Sequence, residues 1–172
     1  VYVALDSVDV WANQHLFDIS KDGKPNHVAG VPPDIFSETG QLWGNPLYNW
    51  QEMKKQRYQW WINRLRRAFS HTDIVRIDHF RAFSAYWKIP ADADDARSGH
   101  WVKGPGDDFI SSLKDAFEEL PIIVEDLGLI DENVRDLKKR HQLWGMKVSQ
   151  FGYGEWYNSE HLSINHTADS VI

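Results

Sequence analysis

Two short apolar runs, Ile74-Val-Arg-Ile77 and Pro121-Ile-Ile-Val124, lie one helical stretch and one long insertion apart, and each is followed at once by an acid. Runs this short and this rich in β-branched residues read as strands. Strands that alternate with amphipathic helical segments build βαβ units around a parallel sheet. The order along the chain is strand, helix, strand, helix, strand, helix, strand.

The first strand is placed at Val1–Leu5, and residues 18–49 follow as a long irregular stretch rich in Gly, Pro, Asn and Asp. Apolar residues from Leu47 to Phe69 recur at helical spacing, which predicts a helix over Pro46–Phe69. Residues 84–106 read as a polar, Gly-containing insertion. Asp107 or Asp108 is placed to cap the next helix, which Pro121 stops. Asp131 caps a short helix carrying Val134 and Leu137. Met146–Phe151 reads as a further strand, and Asp169-Ser-Val-Ile172 as the start of another.

A parallel strand that ends in a carboxylate delivers it to the C-terminal rim of its sheet, where the active sites of parallel barrels lie. Asp78 stands in Arg76-Ile-Asp78-His79-Phe-Arg81. Side chains alternate along a strand, so Arg76 and Asp78 face the same side. A guanidinium there favours an ionised carboxylate, which suits a nucleophile. A purely structural Arg–Asp pair fits the same local pattern. Glu125 closes Ile-Ile-Val. Apolar surroundings favour the protonated form of an acid, which suits a general acid. A supporting role for Glu125, with Asp126 as the key acid, fits equally well. Two carboxylates from two strands are the minimum set for cleaving a glycosidic bond.

Composition narrows the classes. The 172 residues, 42% hydrophobic and 26% charged, suffice for a globular domain rather than a disordered chain. A net charge of −6 offers no general attraction to nucleic acid or an anionic membrane. No run of about 18 apolar residues exists, so no transmembrane helix is expected. The absence of cysteine excludes disulfides and thiolate metal sites and permits a cytoplasmic location. The histidines show no zinc spacing such as H-E-x-x-H, and no metal or organic cofactor is expected.

The aromatic content, with 9 Trp, 6 Tyr and 8 Phe, exceeds what one core needs. Flat apolar rings stack on the C–H faces of sugars, so a carbohydrate groove is implied, with a Trp-rich core as the competing explanation. Long irregular stretches in compact domains are usually functional. Here Gly30-Val-Pro-Pro-Asp34 and Gly40-Gln-Leu-Trp-Gly-Asn-Pro46 fix the backbone of such a stretch through proline and glycine.

The segment from Gly30 through Trp43 to Tyr48 resembles the 4-alpha-glucanotransferase family, also called amylomaltase or disproportionating enzyme, glycoside hydrolase family 77. Val75-Arg-Ile-Asp-His-Phe-Arg81, Val124-Glu-Asp-Leu-Gly128 and Gly145-Met-Lys-Val-x-Gln-Phe151 add to the likeness, in the family's order. The resemblance implies an α/β fold, a (β/α)8 TIM barrel with insertions. On that likeness residues 1–172 form part of a single catalytic barrel domain, truncated at both ends and covering about half of it, roughly strands three to six; such a barrel takes about 250 residues.

The resemblance also implies transfer of α-1,4-glucan (maltodextrin) segments to the 4-hydroxyl of an acceptor sugar by a retaining double displacement. Donor and acceptor would be α-1,4-glucan oligosaccharides, with glucose or maltose also accepting. By motif position Asp78 corresponds to the nucleophile and Glu125 to the acid/base. Arg76 and His79 correspond to residues lining the donor sugar. Asp34, Gln41 and Trp43 are the binding candidates of an exposed loop near the groove, the last two on the acceptor side. The family's third acid lies in a later Gly-Thr-His-Asp-type motif that these residues do not include, and Asp169 is not given its role. Ala82 stands where the family often has Gly. An α-glucan hydrolase with the same two acids is the alternative within this fold. A non-catalytic glucan-binding or structural fragment is the alternative for the isolated chain, which is expected to be inactive.

Overall fold

The computed structural model describes residues 1–34, 37–153 and 159–172. A short helix α1 (Val8–Ala12) precedes strands β1 (His27–Val31) and β2 (Gln41–Pro46), then helices α2 (Trp50–Lys55) and α3 (Gln59–Phe69). Strands β3 (Val75–Ile77), β4 (Ala85–Pro90) and β5 (His100–Lys103) lead into helix α4 (Gly106–Ala116). Strand β6 (Ile122–Val124), helix α5 (Glu132–Arg140), strand β7 (Trp144–Met146) and strand β8 (Ser170–Val171) complete the described elements.

The strands form two four-stranded sheets, β3-β6-β7-β8 and β2-β1-β4-β5. The first is parallel throughout. The second is antiparallel throughout. Ile77, Ile122 and Val124 of the parallel sheet are buried, in one cluster with Leu65 of α3, Phe109 and Leu113 of α4, and Val134 and Leu137 of α5. Each such side chain contributes about 1.5–3 kcal/mol by leaving water. The opposite row of the sheet, Arg76, Ile123 and Trp144 in register, is open, and Trp144 is 51% exposed.

Several expectations are corrected. Val1–Leu5 lies outside both sheets. Its carbonyls are taken by side chains instead of a ladder: the Tyr48 hydroxyl donates to Val1 O and Asn45 Nδ2 to Val3 O. The stretches 18–49 and 84–106, expected as irregular, supply all four antiparallel strands. Gly30, which looks like a loop residue, is a strand residue dictated by packing. A Cβ there would lie 2.0 Å from Gln41 O across the β1–β2 pair.

The helix expected over Pro46–Phe69 starts at Trp50, where Asn49 caps by accepting from Glu52 N–H, and breaks after Lys55. Arg57 and Tyr58 take left-handed backbone angles, φ 51° and 54°. That costs about 1–2 kcal/mol per residue. Burial of the Tyr58 ring and the 2.6 Å hydrogen bond from its hydroxyl to Asp108 Oδ2 offset it.

Asp107 and Asp108 are not caps; they occupy the first turn of α4, with Pro105 at the N-cap position. There they favour the helix dipole and pair outward, Asp107 with Arg140 and His141, Asp108 with Tyr58 and Lys54. Asp131 does cap α5, accepting from Val134 N–H. The strand expected over Met146–Phe151 ends at Met146, and Ser149–Tyr153 forms a 3-10 turn. The Val148 N–H goes to His161 Nδ1 rather than to a neighbouring strand. The strand start expected at Asp169–Ile172 is β8.

Candidate active site

In the parallel sheet Ile77 stands opposite Val124. One step further along both strands come Asp78 and Glu125, from neighbouring strands at their C-terminal ends. Backbone hydrogen bonds lock the step: Glu125 N–H donates to Ile77 O at 2.8 Å, and Phe80 N–H to Glu125 O at 3.0 Å. The Glu125 carboxylate is held at both oxygens by main-chain amides. His79 N–H donates to Oε2 at 2.7 Å and Leu127 N–H to Oε1 at 3.0 Å. Such bonds to a carboxylate are the strong class of hydrogen bond and fix its orientation.

Asp78 is more open. Arg76 Nη2 reaches its Oδ1 at 2.8 Å, as the strand alternation requires. Arg76 Nε also lies 3.1 Å from Met146 Sδ of β7. His79 turns the chain with φ 54°, a left-handed conformation rare for a side-chain-bearing residue. Strain of this kind gathers at functional sites. Its ring meets Trp43 edge-on, centroids 4.8 Å apart at 84°. Burial, with Arg81 adding to it and Asp78 opposing, pushes the imidazole from 6.5 down to about 4. His79 is therefore neutral near pH 7, and its buried Nε2 has no hydrogen-bond partner among the described residues.

Asp78, Glu125, Arg76, His79, Asp34, Gln41 and Trp43 all line a single cleft of about 450 Å³. These seven candidates from the sequence thus meet in one place. Gln41 and Trp43 reach it from a strand, not from the expected loop. They alternate onto one face of β2, and Trp43 Nε1 donates to Gln41 Oε1 at 3.0 Å. Asp34 Oδ1 accepts from Ser37 N–H at 2.9 Å beside the cleft.

The cleft has further walls that sequence reasoning missed: Arg81, Trp101 and Phe151. Arg81 is 6% exposed, donates to Leu129 O and Asp131 Oδ2, and lies under the Trp101 ring at 3.9 Å. Burial lowers its pKa and Asp131 opposes that. The second arginine of the Arg76–Arg81 motif was the available signal for Arg81. Trp101 had only the general excess of tryptophan, since it sits in a segment read as an insertion.

Asp126, the rival to Glu125, turns the other way. It is 7% exposed, with Oδ2 2.8 Å from Lys138 Nζ of α5 and Oδ1 accepting from Met146 N–H at 2.8 Å. It ties β6 to β7 and α5 and does not line the cleft. Asp169 is held by the Thr167 hydroxyl and lies 4.0 Å from Lys138, also away from the cleft. Among the described residues no group of three or more His, Asp or Glu is placed to hold a metal ion, and no helix is long and apolar enough to cross a membrane.

The sequence model of one family, described as 4-alpha-glucanotransferase, matches residues 1–172. The 4-alpha-glucanotransferase of Streptococcus pneumoniae serotype 4 is 52% identical over 175 residues, covering 100% of this chain and 34% of that protein. That of Thermus thermophilus is 46% identical over 172 residues, again 100% of this chain and 34% of that protein. The chloroplastic/amyloplastic enzyme of Arabidopsis thaliana is 45% identical over 172 residues, with 100% and 30% covered. The structure of the Streptococcus agalactiae amylomaltase in complex with acarbose superposes with a TM-score of 0.95 at 42% identity, over 99% of this chain and 34% of that one. The chain spans about a third of the length of these curated relatives.

Proposed function

The chain belongs to the 4-alpha-glucanotransferase family, and we propose that the complete protein carrying it transfers α-1,4-glucan segments by a retaining double displacement. The observation that carries this reading is the convergence of Asp78 and Glu125, one step beyond paired strand residues, on a cleft lined by Arg76, His79, Gln41 and Trp43.

Retention needs two carboxyl groups about 5–5.5 Å apart across the scissile bond. Glu125 protonates the leaving glycosidic oxygen while Asp78 attacks the anomeric carbon and forms a glycosyl-enzyme ester. The shortened glucan leaves. The 4-hydroxyl of an acceptor, an α-1,4-glucan oligosaccharide or glucose or maltose, enters in its place. Glu125, now a base, takes that hydroxyl's proton as its oxygen displaces Asp78 from the anomeric carbon. Arg76 positions the Asp78 carboxylate. The neutral His79 ring, braced edge-on against Trp43, lines the donor side of the cleft. Trp43 and Gln41 hold the acceptor from β2, and Asp34 lines the cleft beside them.

The parallel sheet supports membership of residues 1–172 in a single (β/α)8 barrel domain. Its helices cover one face, and the Arg76–Ile123–Trp144 row is left for the strands of a closed barrel to cover. With that row open, the 172-residue chain by itself is inactive on this reading. The proposed setting is the cytoplasm, which a cysteine-free chain tolerates. Incubating the complete protein with maltotriose and resolving the products tests the proposal. A ladder of both longer and shorter maltodextrins is expected; shortening alone would mean hydrolysis.

A further inference from the structure

A second cleft, of about 400 Å³, opens between β5 and the first turns of α4 and α5. Both clefts fall in the size range of ligand sites, about 300–1,000 Å³. Ser84, Lys103, Asp131 and Asn133 line the second one, and Trp101 lines both.

The partition between the clefts is a braced assembly. Arg81 faces the first cleft, and its Nη2 donates at 3.0 Å to Oδ2 of Asp131, which faces the second. The same guanidinium lies 3.9 Å from the Trp101 ring centre. Trp87 meets that ring edge-on at 5.1 Å and 70°. The indole is thus fixed by its neighbours yet remains 39% exposed. An aromatic platform that is already immobile loses little entropy when a ligand settles on it.

We infer that the glucan path runs on past Trp101 into this second cleft, which holds further α-1,4-linked glucosyl units of longer chains. The inference rests on the proposed glucan chemistry of the first cleft. A sugar chain needs an aromatic face and, beside it, hydrogen-bonding groups of both senses. The second cleft supplies the Ser84 hydroxyl, the Asn133 amide, the Asp131 carboxylate and the Lys103 ammonium. Lys103 makes no ion pair among the described residues, so its donors are available. Asp107 is paired with Arg140, and Asp131 stands opposite Lys103 in sign, so the cleft carries no net charge to select an ion, and its mixed polar and apolar lining suits a neutral sugar.

The test is titration calorimetry on the Asp78→Asn form of the complete protein, with maltotriose and maltoheptaose as probes. Maltoheptaose is expected to bind about tenfold more tightly than maltotriose, and Asn133→Trp, which fills the second cleft from the exposed first turn of α5, to remove most of that advantage. Lys103→Ala, an exposed substitution outside any helix, is expected to reduce the advantage about threefold. An affinity ratio unchanged in both variants, an equal loss for both sugars, or no maltoheptaose binding to Asp78→Asn overturns the inference. Failure of the proposed transfer reads out separately, as a complete protein that makes no longer products from maltotriose while the calorimetric ratio still stands or falls.

Discussion

The backbone N–H of His79 donates to Glu125 Oε2 at 2.7 Å, so the residue after one candidate catalytic acid holds the side chain of the other. This bond adds a side-chain link to the two backbone bonds that already join the strand ends, and the left-handed turn at His79 is what aims that amide. The geometry of the pair is therefore built in the backbone before any sugar arrives, as preorganised electrostatic catalysis requires.

Glu125→Gln in the complete protein should reduce transfer from maltotriose by about 10²–10⁴-fold, the usual contribution of a positioned general acid/base. Its fold should survive, with a loss of about 1–2 kcal/mol because one amide N–H now faces an NH₂ instead of an oxygen. Asp78→Asn should be as inactive, and intact-protein mass spectrometry under turnover should show no glycosyl adduct. An adduct persisting in Asp78→Asn would assign the nucleophile elsewhere.

Trp43 offers an exposed ring whose edge rests on His79. Trp43→Ala should raise KM for the acceptor about tenfold while lowering kcat less, a loss on the order of 1.4 kcal/mol of binding. Acceptor kinetics unchanged from the parent would leave the residue a packing role only.

His79 gives a stability effect with a defined sign. Its folded-state pKa of about 4 lies below the ordinary 6.5, because burial penalises the charged ring. Between those values the unfolded chain binds a proton that the folded chain does not. The stabilisation is complete above pH 6.5 and is lost as pH falls toward 4, by at most about 3 kcal/mol. His79→Asn, which tolerates the left-handed backbone, should show a shallower decline across that window in urea titrations at stepped pH. Parallel slopes for both proteins would refute the assignment.

Gly145 sits directly under the Asp126–Lys138 pair. A Cβ there would lie 2.6 Å from Asp126 Oδ2 and 2.6 Å from Lys138 Nζ. Gly145→Ala should push the two side-chain ends aside at a cost of about 1–3 kcal/mol, the range for overpacking a filled site. Thermal denaturation should show it as a large drop in Tm. A drop of less than about 2 °C would mean that the pair shifts freely.

Tyr58→Phe removes the hydroxyl that donates to Asp108 and leaves the buried ring in place. A hydrogen bond to a charged group is worth about 1.5–3 kcal/mol. The same substitution should raise the pKa of Asp108, which the Tyr58 hydroxyl holds below the ordinary carboxylate value. Carboxylate NMR titration and denaturant unfolding read the two effects independently.

Strands β3 and β6 were legible because they are short runs of Ile and Val between helical periods, whereas β7, Trp-Gly-Met, carries no such trace and was placed too late in the chain. The antiparallel sheet was not legible. Strand β2 is exposed over most of its length, so it shows no alternation, and Gly30, Pro46 and Pro90 read as loop signals. Packing across the β1–β2 pair, invisible in one sequence, is what selects Gly30. The site followed the same division. Asp78 and Glu125 could be read from strand ends. The Arg81–Trp101 stack joins residues twenty positions apart through tertiary contact alone, so no local pattern announces it.

Glu125 and Asp126 are consecutive acids with separate destinations, one at the cleft and one locked against Lys138. Slipping β6 by a single residue would exchange them, putting the lock where the chemistry belongs and the reactive group in the helix layer. The frame of this strand therefore carries two meanings at once. On the proposed function a lesion at the first acid silences turnover at a stability loss of only about 1–2 kcal/mol, whereas a lesion at the second, by leaving Lys138 buried without its partner, costs about 3–5 kcal/mol and lowers melting before any rate is measured. The order in which those two assays fail identifies which side of the strand has been damaged.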